Sequence, residues 1–398
     1  MRYVIGVLTG ALALMQGIAV APAQLAPPAA KTVPAQPEIA ADIHEEIAHV
    51  EATVRLLNGA SHTGNLVITH FRPAGPGPFP VVVFNHGRTP ATRHEPVRWR
   101  MPVLARYWVR RGFAVMVPTR IGYGETGQTV DPEASGACAT ADFRPALDNM
   151  TAQIARTVEF ARTLPWIDAK RVVLVGASYG GFATIAATAR PIPGVIGAVN
   201  FVGGLGGNPQ QRPGSPCQAQ GVAGIAAELG AKSRVPILWL YAENDTYWGK
   251  DWPRRWFDAF TGAGGRAQLA SFPAVGDEGH KLMSGGFALW RPVVDKFVAS
   301  LGFPLPAAAP ALAASGFADI NDATKVPHVK PSVRTEAYAK FLASDVPRAF
   351  ALAPSGAWAW RSGLDAVDVA MARCQKNAAS TCSLYAVDDR VVWKVRDR

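Results

Sequence analysis

The sequence predicts an α/β protein: a doubly wound, mostly parallel sheet followed by a small C-terminal α+β domain. Three observations carry this expectation. Short β-branched runs recur from about residue 50, with helical stretches between the later ones. The central runs, such as 81–84 and 172–175, are apolar throughout, as strands covered on both faces of a parallel sheet must be. The pattern then breaks at Pro304-Leu-Pro-Ala-Ala-Ala-Pro310, which has the composition of a linker. The segment beyond it, 315–398, is too short and too differently patterned to continue the sheet.

Size and composition agree. The chain has 398 residues, which at roughly 150 residues per domain corresponds to two or three domains. Hydrophobic residues make up 49% and charged residues 18%, too apolar for disorder. The apolar residues are dispersed after the N-terminus, which excludes a multi-span membrane protein. Lys plus Arg exceeds Asp plus Glu by 40 to 30, a net +10. Those charges are spread out except over 93–111, read as the wet face of one helix, so no nucleic-acid partner is expected.

The elements run in order from the N-terminus. Arg2, the apolar run 3–20 and Ala21-Pro22-Ala23 form a signal peptide over 1–23, with an uncleaved anchor as the alternative. A cleaved leader implies a periplasmic or secreted protein with no membrane attachment afterwards. Residues 24–49 read as a flexible start. Strands are expected at 54–57, 66–71, 81–84, 113–117, 171–175, 195–201, 236–241 and 267–272. The first two have no helix between them and suggest an antiparallel opening. Leu147, Met150, Ile154, Val158 and Ala161 draw one apolar stripe on a helix. This catalytic domain spans 50–303 and the linker 304–314. Over 315–398 the order is helix (333–343), strand (349–360), helix (364–376), strand (383–393).

Export gives the four cysteines a meaning, since an even count in an oxidising compartment points to disulfides. The favoured pairs are Cys138 with Cys217 and Cys374 with Cys382, because each pair falls within one region of the fold. Four free buried thiols are the alternative.

The strongest chemical signal is Val172-Val-Leu-Val-Gly176-Ala-Ser178-Tyr-Gly180-Gly181. A G-x-S-x-G between an apolar strand and a helix is the setting of a nucleophile elbow, in which small residues let backbone segments crowd around an exposed serine. A serine hydroxyl needs a base, and the base needs an orienting acid. Downstream of Ser178 stand only His280 and His328, and His328 lies beyond the linker. His280 is therefore the expected base. Asp245, past the strand that ends in Leu238-Trp-Leu-Tyr-Ala, is the expected acid, with Glu243 and Asp277 as alternatives. Acyl transfer also needs donors for the developing oxyanion. These are the N–H of Tyr179, after the nucleophile, and that of Arg88, in the Asn85-His86-Gly87-Arg88 loop after the third strand. His86 is read as a structural histidine bonding that loop.

Taken together, Asn85-His86-Gly87, Arg120-Ile-Gly-Tyr-Gly124, Gly176-Ala-Ser178-Tyr-Gly-Gly, Asn244-Asp245 and His280 resemble the α/β-hydrolase superfamily. Within it, the chain is similar to dienelactone-hydrolase-like and acyl-peptidase-like serine esterases, over about residues 50–303. Dienelactone hydrolases use a cysteine nucleophile where this chain has Ser178, so the dienelactone reaction itself is not the expectation. The resemblance implies a carboxylic ester hydrolase working through an acyl-enzyme on a small-molecule or polymer ester, with no cofactor and no metal. The rivals are a serine peptidase or amidase, and a hydrolase fold retained for binding alone.

The remaining signals are weaker. His44-Glu-Glu-Ile-Ala-His49 is one residue too long for a zinc-binding H-E-x-x-H. Gly203-Gly-Leu-Gly-Gly207 lacks the spacing of a nucleotide loop and reads as pocket rim. Tyr123, Tyr247 and Trp248 are candidate substrate-binding aromatics. Trp358, Trp360 and Trp393 would serve either core packing or carbohydrate binding.

Overall fold

The computed structural model describes residues 40–304, 312–344 and 346–394. The predicted signal peptide, the segment up to residue 39 and residues 305–311 of the linker lie outside these. Eight strands form the larger sheet: β1 (Glu46–Arg55), β2 (Ser61–Phe71), β3 (Phe79–Asn85), β4 (Ala114–Thr119), β5 (Ile167–Ala177), β6 (Val195–Phe201), β7 (Ile237–Ala242) and β8 (Ala267–Phe272). Their spatial order is β1-β2-β4-β3-β5-β6-β7-β8. The β1–β2 and β2–β4 pairs are antiparallel, and all the later pairs are parallel. The antiparallel opening and the parallel body are as the apolar runs predicted.

The central strands explain the pattern. Val81, Val82 and Val83 of β3 and Val172 to Val175 of β5 are sealed from solvent on both faces. Helices cover them: α1 (Pro102–Val109), α2 (Arg144–Ala161), α3 (Tyr179–Thr188), α4 (Ala219–Lys232), α5 (Trp252–Gly262), α6 (Leu282–Gly285) and α7 (Phe287–Ser300). The predicted stripe on α2 is buried at all five positions. Among the described residues, no helix is long and apolar enough to cross a membrane.

One boundary differs. β1 begins at Glu46, inside the stretch read as flexible, and its backbone pairs with β2 from Glu46 opposite His70 to Arg55 opposite Ser61. It is an edge strand that buries little beyond Val50 and Val54. Charged and polar residues fill most of the other positions, so its apolar signal surfaces only at its end.

The C-terminal part is a separate four-stranded antiparallel sheet of β9 (Arg348–Leu352), β10 (Trp358–Ser362), β11 (Ser383–Val387) and β12 (Arg390–Val391), ordered β10-β9-β11-β12. α8 (Tyr338–Leu342) continues a π-helical turn, Val333–Ala337, and α9 (Ala366–Lys376) precedes β11. The strand expected over 349–360 is a hairpin. Pro354-Ser355-Gly356 breaks it, with Gly356 at φ +86° and its N–H donating to Ala353 O at 2.9 Å. The last strand is likewise cut at Asp388, φ +51°. One cluster in this part is made of small residues, including Ala349, Ala351, Ala370, Cys374 and Cys382. The other is aromatic, built on Tyr338, Phe341, Phe350 and Tyr385, with Trp358, Trp360 and Trp393 packed half-buried against it. The three tryptophans thus serve packing. An Arg110–Asp368 ion pair and the packing of Leu364 on the main core tie this part to the larger sheet.

Candidate active site

β5 ends at Ala177, α3 begins at Tyr179, and Ser178 forms the whole turn between them. Its backbone sits at φ +56°, ψ −127°, a region that costs a non-glycine residue about 1–3 kcal/mol. The neighbours hold it there. Ser178 N–H donates to Phe201 O at 3.0 Å, and Ser178 O accepts from the N–H groups of Phe182 (3.1 Å) and Gly204 (3.3 Å). A Cβ on Gly176 would fall 2.2 Å from Gly180 O, and one on Gly180 would fall 2.2 Å from Asn85 O. Both positions therefore exclude any side chain. The serine stands half-buried at the C-terminal edge of the sheet, beside the switch point where β3 has β4 on one side and β5 on the other.

Asp245 lies three residues beyond β7, and its carboxylate is fully buried. Oδ1 accepts the N–H groups of Tyr247 (2.8 Å) and Trp248 (3.2 Å), which leaves Oδ2 for His280 Nδ1 at 3.0 Å. Such a partner fixes the tautomer with the proton on Nδ1 and leaves Nε2 as the basic nitrogen. His280 sits in a 3-10 turn, Gly279–Lys281, after β8. A Cβ on Gly279 would come within 2.5 Å of Asp245 N, so glycine is what lets the two loops meet. The alternative acids Glu243 and Asp277 are exposed and pair with no histidine among the described residues.

Glu278, beside His280, carries no motif that singles it out in the sequence. Its carboxylate accepts His280 N–H (2.9 Å), Thr246 N–H (3.0 Å) and the Thr246 hydroxyl, clamping the His280 turn to the Asp245 loop. Burial pushes its carboxyl up, but the Thr246 and His280 hydrogen bonds outweigh this and hold it below its ordinary value. Its one local signal is the capping position directly before a short helical turn.

The aromatics expected to bind substrate separate into three roles. Tyr247 stacks on the His280 ring at 3.8 Å and 18°. Trp248 is fully buried: its indole N–H donates to Val202 O at 2.7 Å, and its ring meets that of His280 in a T-shaped contact at 5.4 Å. It also packs against Gly204, whose N–H holds Ser178 O, so this one ring joins the serine and histidine sides of the site. Tyr123 is buried, with its hydroxyl donating to Glu133 Oε2 at 2.6 Å. Trp248 and Tyr123 are sealed from solvent, so neither ring presents a face to a bound substrate in this structure. Among the described residues, no hydrogen bond links Ser178 Oγ to His280; such bonds commonly tighten only with substrate bound.

The His86–Arg88 loop passes over the serine. A Cβ on Gly87 would lie 3.2 Å from Ser178 Cβ. His86 is buried and stacked on Trp99 at 4.7 Å; its Nδ1 bonds Gly87 O (2.7 Å) while Nε2 accepts Arg120 N–H (3.3 Å). Burial drives its pKa well below the ordinary value, so it stays neutral. The N–H groups of Tyr179 and Arg88 have no acceptor among the described residues.

Both expected disulfides are present, Cys138–Cys217 and Cys374–Cys382. The first joins the loop after β4 to the loop after β6. There Cys217 N–H donates to Gly206 O (2.9 Å) and Gly206 N–H to the Tyr179 hydroxyl (3.1 Å). The rim is thereby linked to the first residue of α3.

The sheet order and the serine elbow define an α/β hydrolase. Residues 70–280, more than half of the chain, match the model of the dienelactone hydrolase family. The chain belongs to that family and is a hydrolase. Among solved structures it is similar to an acylaminoacyl peptidase of Pyrococcus horikoshii (15% identity, TM-score 0.44, 68% of this chain and 43% of that one). It is also similar to an acetyl xylan esterase of Paenibacillus sp. R4 (15%, 0.41, 65% and 89%) and an esterase of Pyrococcus furiosus (11%, 0.42, 65% and 92%). No curated protein matches it.

Proposed function

We propose that the chain is an exported serine hydrolase that cleaves carboxylic esters, with Ser178 as nucleophile, His280 as base and Asp245 as orienting acid. The observation that carries this is the buried Asp245–His280 bond at 3.0 Å, on the same sheet edge as a serine at φ +56°. Ser178 Oγ attacks the ester carbonyl and gives its proton to His280 Nε2. The imidazolium that forms is stabilised through Nδ1–H by Asp245. The Tyr179 and Arg88 N–H groups receive the oxyanion, assisted by the positive end of α3. The alcohol leaves with the proton from His280, and water, activated by the same nitrogen, releases the acid from Ser178. The signal peptide expected from the sequence and the two disulfides support an oxidising compartment.

The test is hydrolysis of nitrophenyl esters of increasing chain length by wild type and Ser178→Ala. Loss of the nucleophile should lower kcat by about 10⁶-fold, and a fluorophosphonate should label Ser178 alone. A wild type that is inert to esters and to the label would defeat this function. Faster turnover of amides than of matched esters would move the activity to peptidase.

A further inference from the structure

A buried charged network lies behind the His86–Arg88 loop, and the triad does not use it. Arg120 and Glu133 are both sealed from solvent, and Arg120 Nε donates to Glu133 Oε1 at 2.5 Å. The rest of the guanidinium is spent on the loop: Nη1 donates to His86 O at 2.7 Å and Nη2 to Gly87 O at 3.2 Å. Glu133 Oε2 accepts the Tyr123 hydroxyl and lies 3.6 Å from Arg88 Nη1. The Arg88 guanidinium forks onto Asp131 at 2.9 and 2.8 Å. A buried arginine pair is a weak source of stability, because desolvation offsets its attraction. Its geometry, however, is specific.

A trans peptide is planar and points its C=O and N–H in opposite directions. Gly87 O is fixed by Arg120 Nη2 and by His86 Nδ1, both on the inner side. The N–H of the same peptide unit belongs to Arg88, so it is held pointing the other way, with no acceptor among the described residues. We propose that Arg120, oriented by Glu133, is a positioning residue that sets the direction of the Arg88 N–H by holding the carbonyl of its own peptide. This rests on the serine hydrolase function proposed above. It implies that Arg120 acts on the developing oxyanion and not on ground-state binding.

The experiment uses the full mature chain as wild type, Arg120→Lys and Glu133→Gln, each titrated with a fluorophosphonate so that kcat is expressed per labelled serine. A lysine reaches one carbonyl but cannot span two while facing Glu133. Arg120→Lys should lower kcat by about 10²-fold, the scale of one oxyanion donor, with KM nearly unchanged. Binding of phenylboronic acid, whose serine adduct carries an oxygen at the oxyanion position, should weaken by a matching factor. Glu133→Gln should shift both quantities the same way by less. A purely structural role would lower the melting temperature and the labelled fraction while leaving kcat per labelled serine at the wild-type value, and that result overturns the proposal. Failure of both variants to fold also overturns it, by assigning the pair to stability. A wild type that takes no label removes the hydrolase function itself, which is a distinguishable failure.

Discussion

The two sheets of this molecule solve the same problem with different means. In the larger sheet, parallel strands such as β3 and β5 are buried on both faces, and one core cluster runs from Ile43 to Phe303. The smaller sheet has four strands of two to five residues and splits its interior into an alanine-rich cluster and an aromatic one. Alanine burial removes little apolar area from water. The small part compensates with a disulfide at the end of α9 and with Arg348, whose guanidinium gathers the carbonyls of Phe341, Leu342, Ser344 and Asp388. Core volume holds one region, and point fastenings hold the other.

Matched substitutions can break that contrast. Trp239→Ala in the fully buried β7 should destabilise the whole protein by about 3–5 kcal/mol, read as a lowered melting midpoint with loss of activity. Equal loss from Trp358→Ala, half-buried on β10, would erase the distinction; about 1–2 kcal/mol confined to the small part is expected. Replacing both Cys138 and Cys217 by Ser opens a 79-residue separation, worth up to about 4.5 kcal/mol on the chain-entropy model. The Cys374/Cys382 pair, separated by 8, is worth up to about 2.5 kcal/mol. Yet it is the shorter one whose loss should expose the C-terminal part to limited proteolysis while hydrolase activity is kept.

A further difference between the two regions appears in acid. Burial raises the Glu45 carboxyl, but hydrogen bonds from Arg100, Ala40 N–H and Arg98 carry it from 4.5 down to about 2. A folded-state value below the unfolded one means that its stabilisation is present above pH 4.5 and is lost as the pH falls towards 2. Wild type and Glu45→Gln should therefore converge in melting temperature on acidification. Arg348 is held chiefly by carbonyls that do not titrate, so the small sheet should show no matching loss. A constant gap between the two proteins would refute the assignment to Glu45.

The elbow is legible in the sequence because a sharp strand–helix turn admits so few residues: Gly176 and Gly180 are where any Cβ would strike backbone. Asp245 and His280 are legible because each follows a strand that ends at the edge where the serine stands. Glu133, Glu278 and the task of Arg120 are not, since each is defined by partners brought together in space and by no local spacing. Tyr123 and Trp248 look like pocket aromatics because a ring in a rim loop reads the same whether it faces out or in. The hairpin at β9–β10 escapes a reading of the sequence because apolar residues flank Pro354-Ser355-Gly356 on both sides and draw one continuous run.

The three residues proposed as the triad stand at the ends of β5, β7 and β8, and the loop over Ser178 follows β3. No contiguous fragment shorter than about half the chain contains them all. Activity therefore requires the larger sheet to be complete through β8. In refolding from denaturant, turnover should recover only after the far-ultraviolet signal of the sheet is complete, and a chain released before β8 is synthesised would carry an elbow with no base.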